Sequence, residues 1–273
     1  MNRMMTRVLL YALALAGAVF SLVPLVWMAS ASVMPAGEAS SFPPPFVPSK
    51  VTWEHYAQLF ERLNVARYFV NSLFIAGVVT VVSLLFNSMA GYAFAKFRFP
   101  GREKLFRFLL GGLVIPVQVA MLPLFLLLKQ FGFINTYWGV ILPGMATIFG
   151  IFLVRQYMLS IPDDLLDAAR IDGAGEFRIY WTIVLPLSMP ILVTLAIFTF
   201  MATWNDFMWP LIILSDNSMY TLPVALANML GEYVQDVELM MAGSVITVLP
   251  VLVLFMALQK YYIDGIMIGS VKG

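Results

Sequence analysis

The segment LLDAARIDGAGEFRIYWTIVLP, residues 165–186, is a compact polar interruption in a chain that is otherwise strongly apolar. It carries five charged side chains between positions 167 and 178, and three aromatic residues follow its two glycines. This patterning is typical of a folded loop that lies in water. The flanking sequence shows what such a loop connects.

Local signals in and before this loop predict a helix, a turn and a second helix. Ser160 followed by Asp163 fits a capping box, and Pro162 suits the first turn of a helix. The first helix is expected to end near residue 171, because Gly173 supplies a left-handed stop. A second short helix is expected from Glu176 to about residue 186.

The second predicted helix carries an apolar stripe of Phe177, Tyr180, Trp181 and Val184, at the spacing i, i+3, i+4, i+7. The stripe is either a docking surface for another protein or a face tucked under the chain's own helix ends. Small alanines leave the first helix thin, so another backbone can approach it closely. The residues alone leave both interpretations open.

The composition identifies a membrane protein. Of 273 residues, 61% are hydrophobic and 11% are charged, with a mean hydropathy of +0.89, whereas soluble domains have about 45–50% apolar and roughly 25% charged residues. A net charge of +1 argues against a nucleic-acid surface. The absence of cysteine and the single histidine exclude disulfides, cysteine nucleophiles and multi-histidine metal clusters.

Six apolar runs are long enough to cross a bilayer, which takes about 20 helical residues. They form one predicted transmembrane domain over residues 1–273, with a cytoplasmic loop at 160–186. We expect the first run to be retained, because it exceeds the roughly 7–15 apolar residues of a cleavable signal. Internal prolines at 24, 116, 123, 143, 190 and 250 predict kinks. The predicted spans are 8–28, 69–94, 106–128, 138–154, 187–214 and 239–258.

Basic residues predict the orientation of these spans. Twelve of the 16 lysines and arginines fall on one side, together with both termini and the 160–186 loop, so we expect that side to be cytoplasmic. The acidic loop 215–238 is then external. The proline-rich segment 41–50 is also expected to be external, as an extended linker. The adjacent residues 52–63 are expected to form a short surface helix on the same side.

The loop resembles the EAA loop of ABC-importer permease subunits. It has Asp167-Ala168-Ala169, then Gly173, then Ile183 and Leu185-Pro186, and all spacings match; the one departure is aspartate for the family's glutamate. Residues 90–101, 135–143, 204–211 and 259–273 are similar to the smaller permease subunit of maltose-type importers. The resemblance implies an all-α polytopic membrane protein with six transmembrane helices and the type I ABC-importer permease fold.

The resemblance also implies roles for particular residues. Asp167, Ala168, Ala169 and Gly173 would contact a cleft on the ATPase subunit, with Leu185 and Pro186 anchoring the exit of the loop. The C-terminal tail, through Gly269, Ser270, Lys272 and Gly273, would slip between the ATPase subunits, although a frayed end is the ordinary alternative. The external loop 215–238 resembles a segment that enters the binding protein's sugar cleft, or is an ordinary interfacial helix.

The implied partners are a second homologous permease subunit, a dimer of ATP-binding subunits, an extracytoplasmic sugar-binding protein and the lipid bilayer of the bacterial cytoplasmic membrane. ATP and Mg would reside on the ATPase subunits, and no cofactor or metal is expected on this chain. No nucleic acid is expected as a partner. The chain is expected to be non-catalytic, since it lacks a Gly-Lys-Ser/Thr phosphate loop and any catalytic set.

Few polar residues inside the spans are candidates for function. Trp204, Asn205 and Asn87 could offer stacking and amide hydrogen bonds to a sugar. Asp206 is the one acid inside a predicted span, and a hydrated or hydrogen-bonded interfacial position is favoured over a proton relay because two tryptophans flank it.

Two alternatives to a sugar importer are open. The same architecture could import glycerol-3-phosphate or a related polyol, although the scarcity of lysine and arginine deep in the spans favours a neutral sugar. A stand-alone secondary carrier is less favoured, because the sequence has no internal repeat with a clear period.

Overall fold

A computed structural model of the chain describes residues 3–61, 63–232 and 236–270, and the regular secondary structure in this part is entirely helical. The helix bounds follow from the apolar runs and from the glycines and prolines between them. In chain order the α-helices are α1 (Arg3–Ala31), α2 (Glu54–Glu61), α3 (Val65–Lys96), α4 (Arg102–Gly111), α5 (Val117–Gln130), α6 (Tyr137–Ile141), α7 (Ile148–Met158), α8 (Asp163–Ile171), α9 (Glu176–Ile179), α10 (Leu185–Leu187), α11 (Met189–Trp204), α12 (Met208–Ile213), α13 (Leu222–Glu232) and α14 (Val237–Ser270).

Within the described residues, four helical stretches are long and apolar enough to cross a membrane, and two bent pairs bring the number to six if each pair is one span. The four are Thr6–Ala31, Val65–Lys96, Tyr137–Met158 and Val237–Ala257. The bent pairs are Arg102–Val114 with Val117–Gln130, at 104°, and Glu176–Leu187 with Met189–Trp204, at 78°.

Two predicted spans are more broken than their apolar runs suggested. The predicted span 106–128 bends between α4 and α5, where Pro116 precedes the first residue of α5. The predicted span 187–214 is not one helix, because α11 ends at Trp204 and α12 begins only at Met208. The first break falls among apolar residues, so hydropathy does not show it. The second falls at the polar pair Asn205-Asp206, which the long apolar run on both sides conceals when hydropathy is averaged along the chain.

Proline alone did not decide where helices break. Pro24, Pro123 and Pro250 lie inside continuous helices, whereas Pro143 lies in a 3-10 turn. Neighbouring helices in a membrane bundle can satisfy the backbone carbonyl that a proline leaves unpaired. A proline in an apolar run therefore permits a break without requiring one.

The chain divides into two compact units, Met1–Arg67 with Ala225–Pro250, and Tyr68–Val224 with Val251–Gly273. In the first unit α1 carries many exposed apolar side chains between Val8 and Val26, and Ala31, Met34 and Ala39 form a small buried cluster. The predicted surface helix is α2, but His55 and Leu59 on it are buried. The His55 Nε2 atom is 2.9 Å from the Met34 carbonyl.

The second unit holds two buried clusters and the loop. One cluster packs the loop against α3, α7 and α11, and it includes Val154, Leu166 and Ile179. The other packs α3 and α6 against α12 and includes Ile75 and Ile213. Close packing of α3 on α7 depends on a small residue. A Cβ atom on Gly91 would lie 2.9 Å from Cγ1 of Val154, so the two helices can approach this closely only at a glycine.

Candidate functional site

The loop 160–186 has the helix–turn–helix form that its sequence predicted. Helix α8 runs from Asp163 to Ile171, and the second helical segment begins at Glu176. Gly173 has φ +82°, and a Cβ atom there would meet nothing within 4 Å, so the backbone conformation rather than space requires glycine. The Ala174 N–H donates to the Ala169 carbonyl at 2.9 Å, which closes the end of α8.

The predicted capping box is wrong. The Ser160 hydroxyl donates to the Tyr157 carbonyl at 2.7 Å, at the end of the preceding helix. Helix α8 instead begins after Pro162, with no side-chain cap. Its acids Asp163 and Asp164 suit the positive end of the helix dipole. A serine between two helices can cap the first turn of the following helix or donate to a carbonyl at the end of the preceding helix, and the sequence does not distinguish the two.

Arg170 joins the two arms of the loop. Its Nη1 atom donates to Oδ1 of Asp167 at 2.6 Å, and its Nε atom donates to Oε1 of Glu176 at 2.7 Å. The bond to Glu176, and then that to Asp167, raises the pKa of the Arg170 guanidinium above its ordinary value. Because Asp167 lies on α8 and Glu176 follows the Gly173 turn, this one guanidinium fixes the angle between the arms.

Three side chains of α3 fasten the loop to the membrane-spanning part. Ser88, Tyr92 and Lys96 are spaced i, i+4 and i+8, so they lie on one face of α3. The Lys96 ammonium donates to Oδ1 of Asp163 at 2.6 Å and to the Ile161 carbonyl at 2.5 Å. Its hydrogen bond lowers the pKa of the Asp163 carboxyl below the usual range.

The other two fastenings lie deeper along the same face of α3. The buried Tyr92 hydroxyl donates to Oε2 of Glu176 at 2.9 Å. The hydroxyls of Ser88 and Tyr180 are hydrogen-bonded at 2.7 Å. Sequence analysis missed this set, although a polar residue every fourth position near the end of an apolar run was its visible signal. We call Ser88, Tyr92 and Lys96 the α3 clamp.

The aromatic stripe divides between the two interpretations left open by the sequence. Tyr180 and Val184 are buried in the cluster beneath the loop. Phe177 and Trp181 remain 67% and 44% exposed and contact each other edge to face, with ring centroids 6.1 Å apart. The π-helical turn at Tyr180–Val184 connects the two parts. One half of the stripe is therefore core, and the other half is an exposed apolar surface.

The residues assigned to ATPase contact lie mostly on the outer surface of the loop. Asp167, Ala168, Gly173 and Pro186 are exposed, whereas Ala169 and Leu185 are half-buried and pack against the core. Beside Ala168, Leu165 and Ile171 are 47% and 86% exposed. The outer face of α8 thus has two large apolar side chains with the small Ala168 between them, and we call Leu165, Ala168 and Ile171 the α8 face.

The predicted tail contact lies largely beyond what the structure describes. Gly269 and Ser270 are the last residues of α14. Lys272 and Gly273 lie outside the described residues. The role of the tail therefore stays a prediction.

A cavity of about 860 Å³ opens among α3, α5, α7, α11 and α12. Its lining is mainly apolar and aromatic, and Asp206 is the only ionisable residue among the described residues that line it. Such a cavity has the size and character of small-molecule sites, which are apolar with a few convergent polar groups. The neutral polar residues of the lining, most of which sequence analysis did not single out, are Gln118, Thr147, Thr199, Thr203 and Asn205.

Of the three residues proposed to contact sugar, Asn205 lines the cavity, and its amide donates to the Met201 carbonyl at 2.9 Å. Trp204 is 1% exposed, stacked on Phe200 and packed against Phe69. One face of its ring is therefore covered by Phe200, and the side chain is buried from any ligand.

Asn87 is also buried away from the cavity. Its amide oxygen accepts the Thr147 N–H at 3.0 Å, and its amide nitrogen donates to the Ser83 hydroxyl at 2.7 Å. Asp206 lies in the break before α12, where its Oδ1 atom accepts the Trp209 N–H at 3.3 Å. This is the hydrogen-bonded position favoured for it from the sequence.

The start of the loop 215–238 is anchored to α3. The Asn71 amide donates to the carbonyls of Ser218 and Tyr220, both at 3.0 Å. The Ser72 hydroxyl accepts the Leu222 N–H at 2.7 Å. Helix α13 therefore begins from a fixed base on the same helix that carries the α3 clamp at its other end. Among the described residues, no group of three or more acids or histidines could hold a metal ion.

Comparison with known proteins gives consistent similarities. Residues 83–267 match the model of the family described as "Binding-protein-dependent transport system inner membrane component". The arabinooligosaccharides transport system permease protein AraQ of Halalkalibacterium halodurans is 43% identical over 229 residues, covering 84% of this chain and 82% of AraQ. The lactose transport system permease protein LacG of Rhizobium radiobacter is 32% identical over 277 residues, covering 100% of this chain and 98% of LacG.

A solved structure shares the fold. It is a bacterial ABC transporter involved in the import of the acidic polysaccharide alginate, one chain of which superposes with a TM-score of 0.84 at 24% identity. The match covers 96% of this chain and 99% of that chain.

Proposed function

Because this chain belongs to the family of binding-protein-dependent transport system inner membrane components, we propose that it is a permease subunit of an ATP-driven importer for a neutral sugar or oligosaccharide. The predicted family and the predicted all-α permease fold are confirmed. In this proposal an extracytoplasmic sugar-binding protein delivers the substrate, and a second homologous permease completes the pathway. A dimer of ATP-binding subunits, which holds ATP and Mg, supplies the energy. Both termini lie in the cytoplasm.

The observation that carries this proposal is the α3 clamp. It holds the loop rigidly on α3 while the α8 face stays exposed and free to receive a partner. A force applied at Ala168 is therefore transmitted to α3 by the packing of Leu166 in the core and by the hydrogen bonds of Tyr92 and Lys96 to the loop. A loop that only connected two spans would need neither a rigid mount nor an exposed apolar face.

Helix α3 extends from the clamp to the cavity. Val79, which lines the cavity, is thirteen residues before Tyr92, or about 20 Å along the helix axis. Closure of the ATPase dimer moves the loop and α3 together, and the cavity changes its accessibility between the two sides of the membrane. This is alternating access of a two-state bundle, in which nucleotide and binding protein each bias one state. The chain transmits force and performs no chemistry.

The cavity lining supports a neutral substrate. No lysine, arginine or histidine is among its described lining residues, so a phosphate group would find no counter-charge from this chain within the cavity. The amide and hydroxyl groups offer hydrogen bonds to sugar hydroxyls, and Phe149, Phe198 and Phe207 offer flat apolar surfaces to sugar rings. The names of the relatives, which specify arabinooligosaccharides and lactose, agree with this class.

Reconstitution tests the proposal. The permease pair is placed in liposomes with or without the ATP-binding subunits, and uptake of arabinooligosaccharides, lactose and glycerol 3-phosphate is measured in the presence of the binding protein. We expect accumulation of a sugar only with ATP and all subunits. Sugar movement by the permeases alone would favour a secondary carrier, and uptake of glycerol 3-phosphate alone would refute the neutral-sugar assignment.

A further inference from the structure

The turn between α3 and α4 concentrates positive charge. Residues 98–107 contain four basic side chains, Arg98, Arg102, Lys104 and Arg107, and one acid, Glu103. All four basic residues line one surface pocket of about 610 Å³. The transport mechanism proposed above makes no use of this pocket.

The single acid, Glu103, also lines the pocket but neutralises at most one of its four cations, because its carboxylate is shared between Arg102 and the buried Arg155. Oε1 of Glu103 accepts a 2.9 Å bond from Nη2 of Arg155 and lies 3.2 Å from Nη2 of Arg102. Arg155 is buried, with its guanidinium 4.0 Å from the centre of the Phe106 ring. Glu103 therefore also compensates the buried charge of Arg155.

Three cations of the pocket keep their charge available. Within the described part of the chain, Arg98, Lys104 and Arg107 have no acid within ion-pair distance. Arg98 also influences Asp163, but the carboxylate of Asp163 is already bonded to Lys96. The pocket thus has an unbalanced charge and suits an anion.

The start of α4 adds to this field. The residue before the helix is Gly101, with φ +83° and no side chain to cap the first turn. Gly101 and Arg102 both line the pocket, so the positive end of a ten-residue helix dipole opens at its wall. Backbone N–H groups at such an end bind phosphate oxygens readily.

The pocket also lies where apolar surface meets water. Helix α3 leaves its membrane-spanning stretch at Lys96, and α4 begins the next apolar pair at Arg102. Next to the basic residues, Leu105 and Phe108 are 47% and 80% exposed, and Phe99 is 37% exposed. Cationic groups for a headgroup and apolar groups for its acyl chains are therefore side by side.

We propose that this pocket binds the phosphate of an anionic phospholipid headgroup in the adjacent leaflet. A basic cluster directly beyond a membrane span is typical of such recognition. An acidic protein surface would also match the charge of the pocket, but it would not account for the exposed apolar side chains of Leu105 and Phe108. The lipid accounts for both the charge and the exposed apolar side chains.

Native mass spectrometry of the full chain tests the proposal. The protein is purified in detergent with equal amounts of phosphatidylglycerol and phosphatidylcholine, and the retained lipid is counted. We expect phosphatidylglycerol to be retained preferentially, and we expect R98Q/K104Q/R107Q to reduce its retention by about tenfold or more. The matched control, K50Q/R67Q/K129Q, removes three exposed cations that lie outside residues 98–107 and should retain it fully.

Additional variants and a competition with phosphate distinguish the possible outcomes. R98K/R107K keeps the charge and should keep the lipid, and Lys104→Gln or Arg107→Gln alone should lower retention by about three- to fivefold if the triple variant does not fold. Equal retention of both lipids, or unchanged retention in the triple variant, would overturn the proposal. Displacement of the lipid by millimolar inorganic phosphate would also overturn it, since the site would then be one for a free anion.

Discussion

The buried hydroxyl of Tyr92 on α3 donates a 2.9 Å hydrogen bond to the carboxylate of Glu176 in the loop. The same carboxylate accepts from Arg170, which also holds Asp167. A single chain of four side chains therefore runs from the membrane-spanning helix to the outer arm of the loop. Its geometry explains how displacement of α8 can move α3 instead of bending the loop.

Replacement of Tyr92 by phenylalanine should loosen this connection without removing the aromatic packing around it. A hydrogen bond to a charged acceptor contributes about 1.5–3 kcal/mol, so we expect sugar transported per ATP hydrolysed to fall by roughly tenfold. The measurement compares uptake with ATPase activity in proteoliposomes. Tyr11→Phe, at a 75% exposed position on α1, is the matched control. An unchanged ratio in Tyr92→Phe would show that the bond does not transmit force.

Gly173 should not tolerate a charged side chain. Aspartate adopts the left-handed region more readily than most L-residues, so the expected effect comes mainly from a carboxylate placed in the exposed turn beside the α8 face, with a smaller contribution from backbone strain. Gly173→Asp is expected to abolish ATP-coupled uptake while leaving the amount of the subunit in the membrane unchanged. Gly175→Ala is the control, because Gly175 has φ −71° and open space around its Cβ position. Normal uptake in Gly173→Asp would argue against a docking role for the loop.

Gly91 should be required for stability. Its Cβ atom would lie 2.9 Å from Val154 and 3.1 Å from the Arg155 backbone nitrogen, so an alanine forces α3 and α7 apart. Overpacking of this kind costs about 1–3 kcal/mol, and we expect a lower thermal unfolding midpoint for Gly91→Ala. Gly77→Ala lies on the same helix with nothing within 4 Å of its Cβ position and should behave like the parent protein. Equal midpoints for both variants would contradict the close contact.

The role of Asp206 should depend on the hydrogen bond that its side-chain oxygen accepts and not on its negative charge. Asparagine keeps an oxygen that can accept the Trp209 N–H, whereas alanine does not. We expect Asp206→Asn to retain most uptake of a neutral sugar and Asp206→Ala to lose about three- to tenfold, from one lost hydrogen bond. Uptake rates at saturating and limiting sugar provide the measurement. Loss of uptake in Asp206→Asn would instead indicate that the carboxylate takes part in proton transfer.

The sequence predicted what local chemistry controls. The end of α8 at Ile171 and the positive φ of Gly173 follow from glycine and spacing rules that act within a few residues. The same rules failed at Ser160, because a serine hydroxyl can bond forward or backward along the chain. The approximate positions of the membrane-spanning helices were also predicted, because an apolar run of about 20 residues has the length of a helix that crosses a bilayer.

Long-range packing could not be predicted in the same way. Asn87 and Trp204 were proposed as sugar contacts because their side chains are chemically suitable, yet both are buried among other helices. The α3 clamp was missed because its partners are 65 to 92 residues away along the chain. Only a folded arrangement shows which polar residue in an apolar run faces a partner.

The most direct test of the central claim uses the absence of cysteine from the sequence. With Ala168→Cys as the only thiol, we expect a short bifunctional reagent to cross-link the loop to the ATP-binding subunit, and we expect a membrane-impermeant thiol reagent added outside cells to leave it unlabelled. Val47→Cys, 74% exposed in the proline-rich linker, should show the opposite labelling. Labelling of Ala168→Cys from outside, or full transport activity with no cross-link to an ATP-binding subunit, would contradict the account.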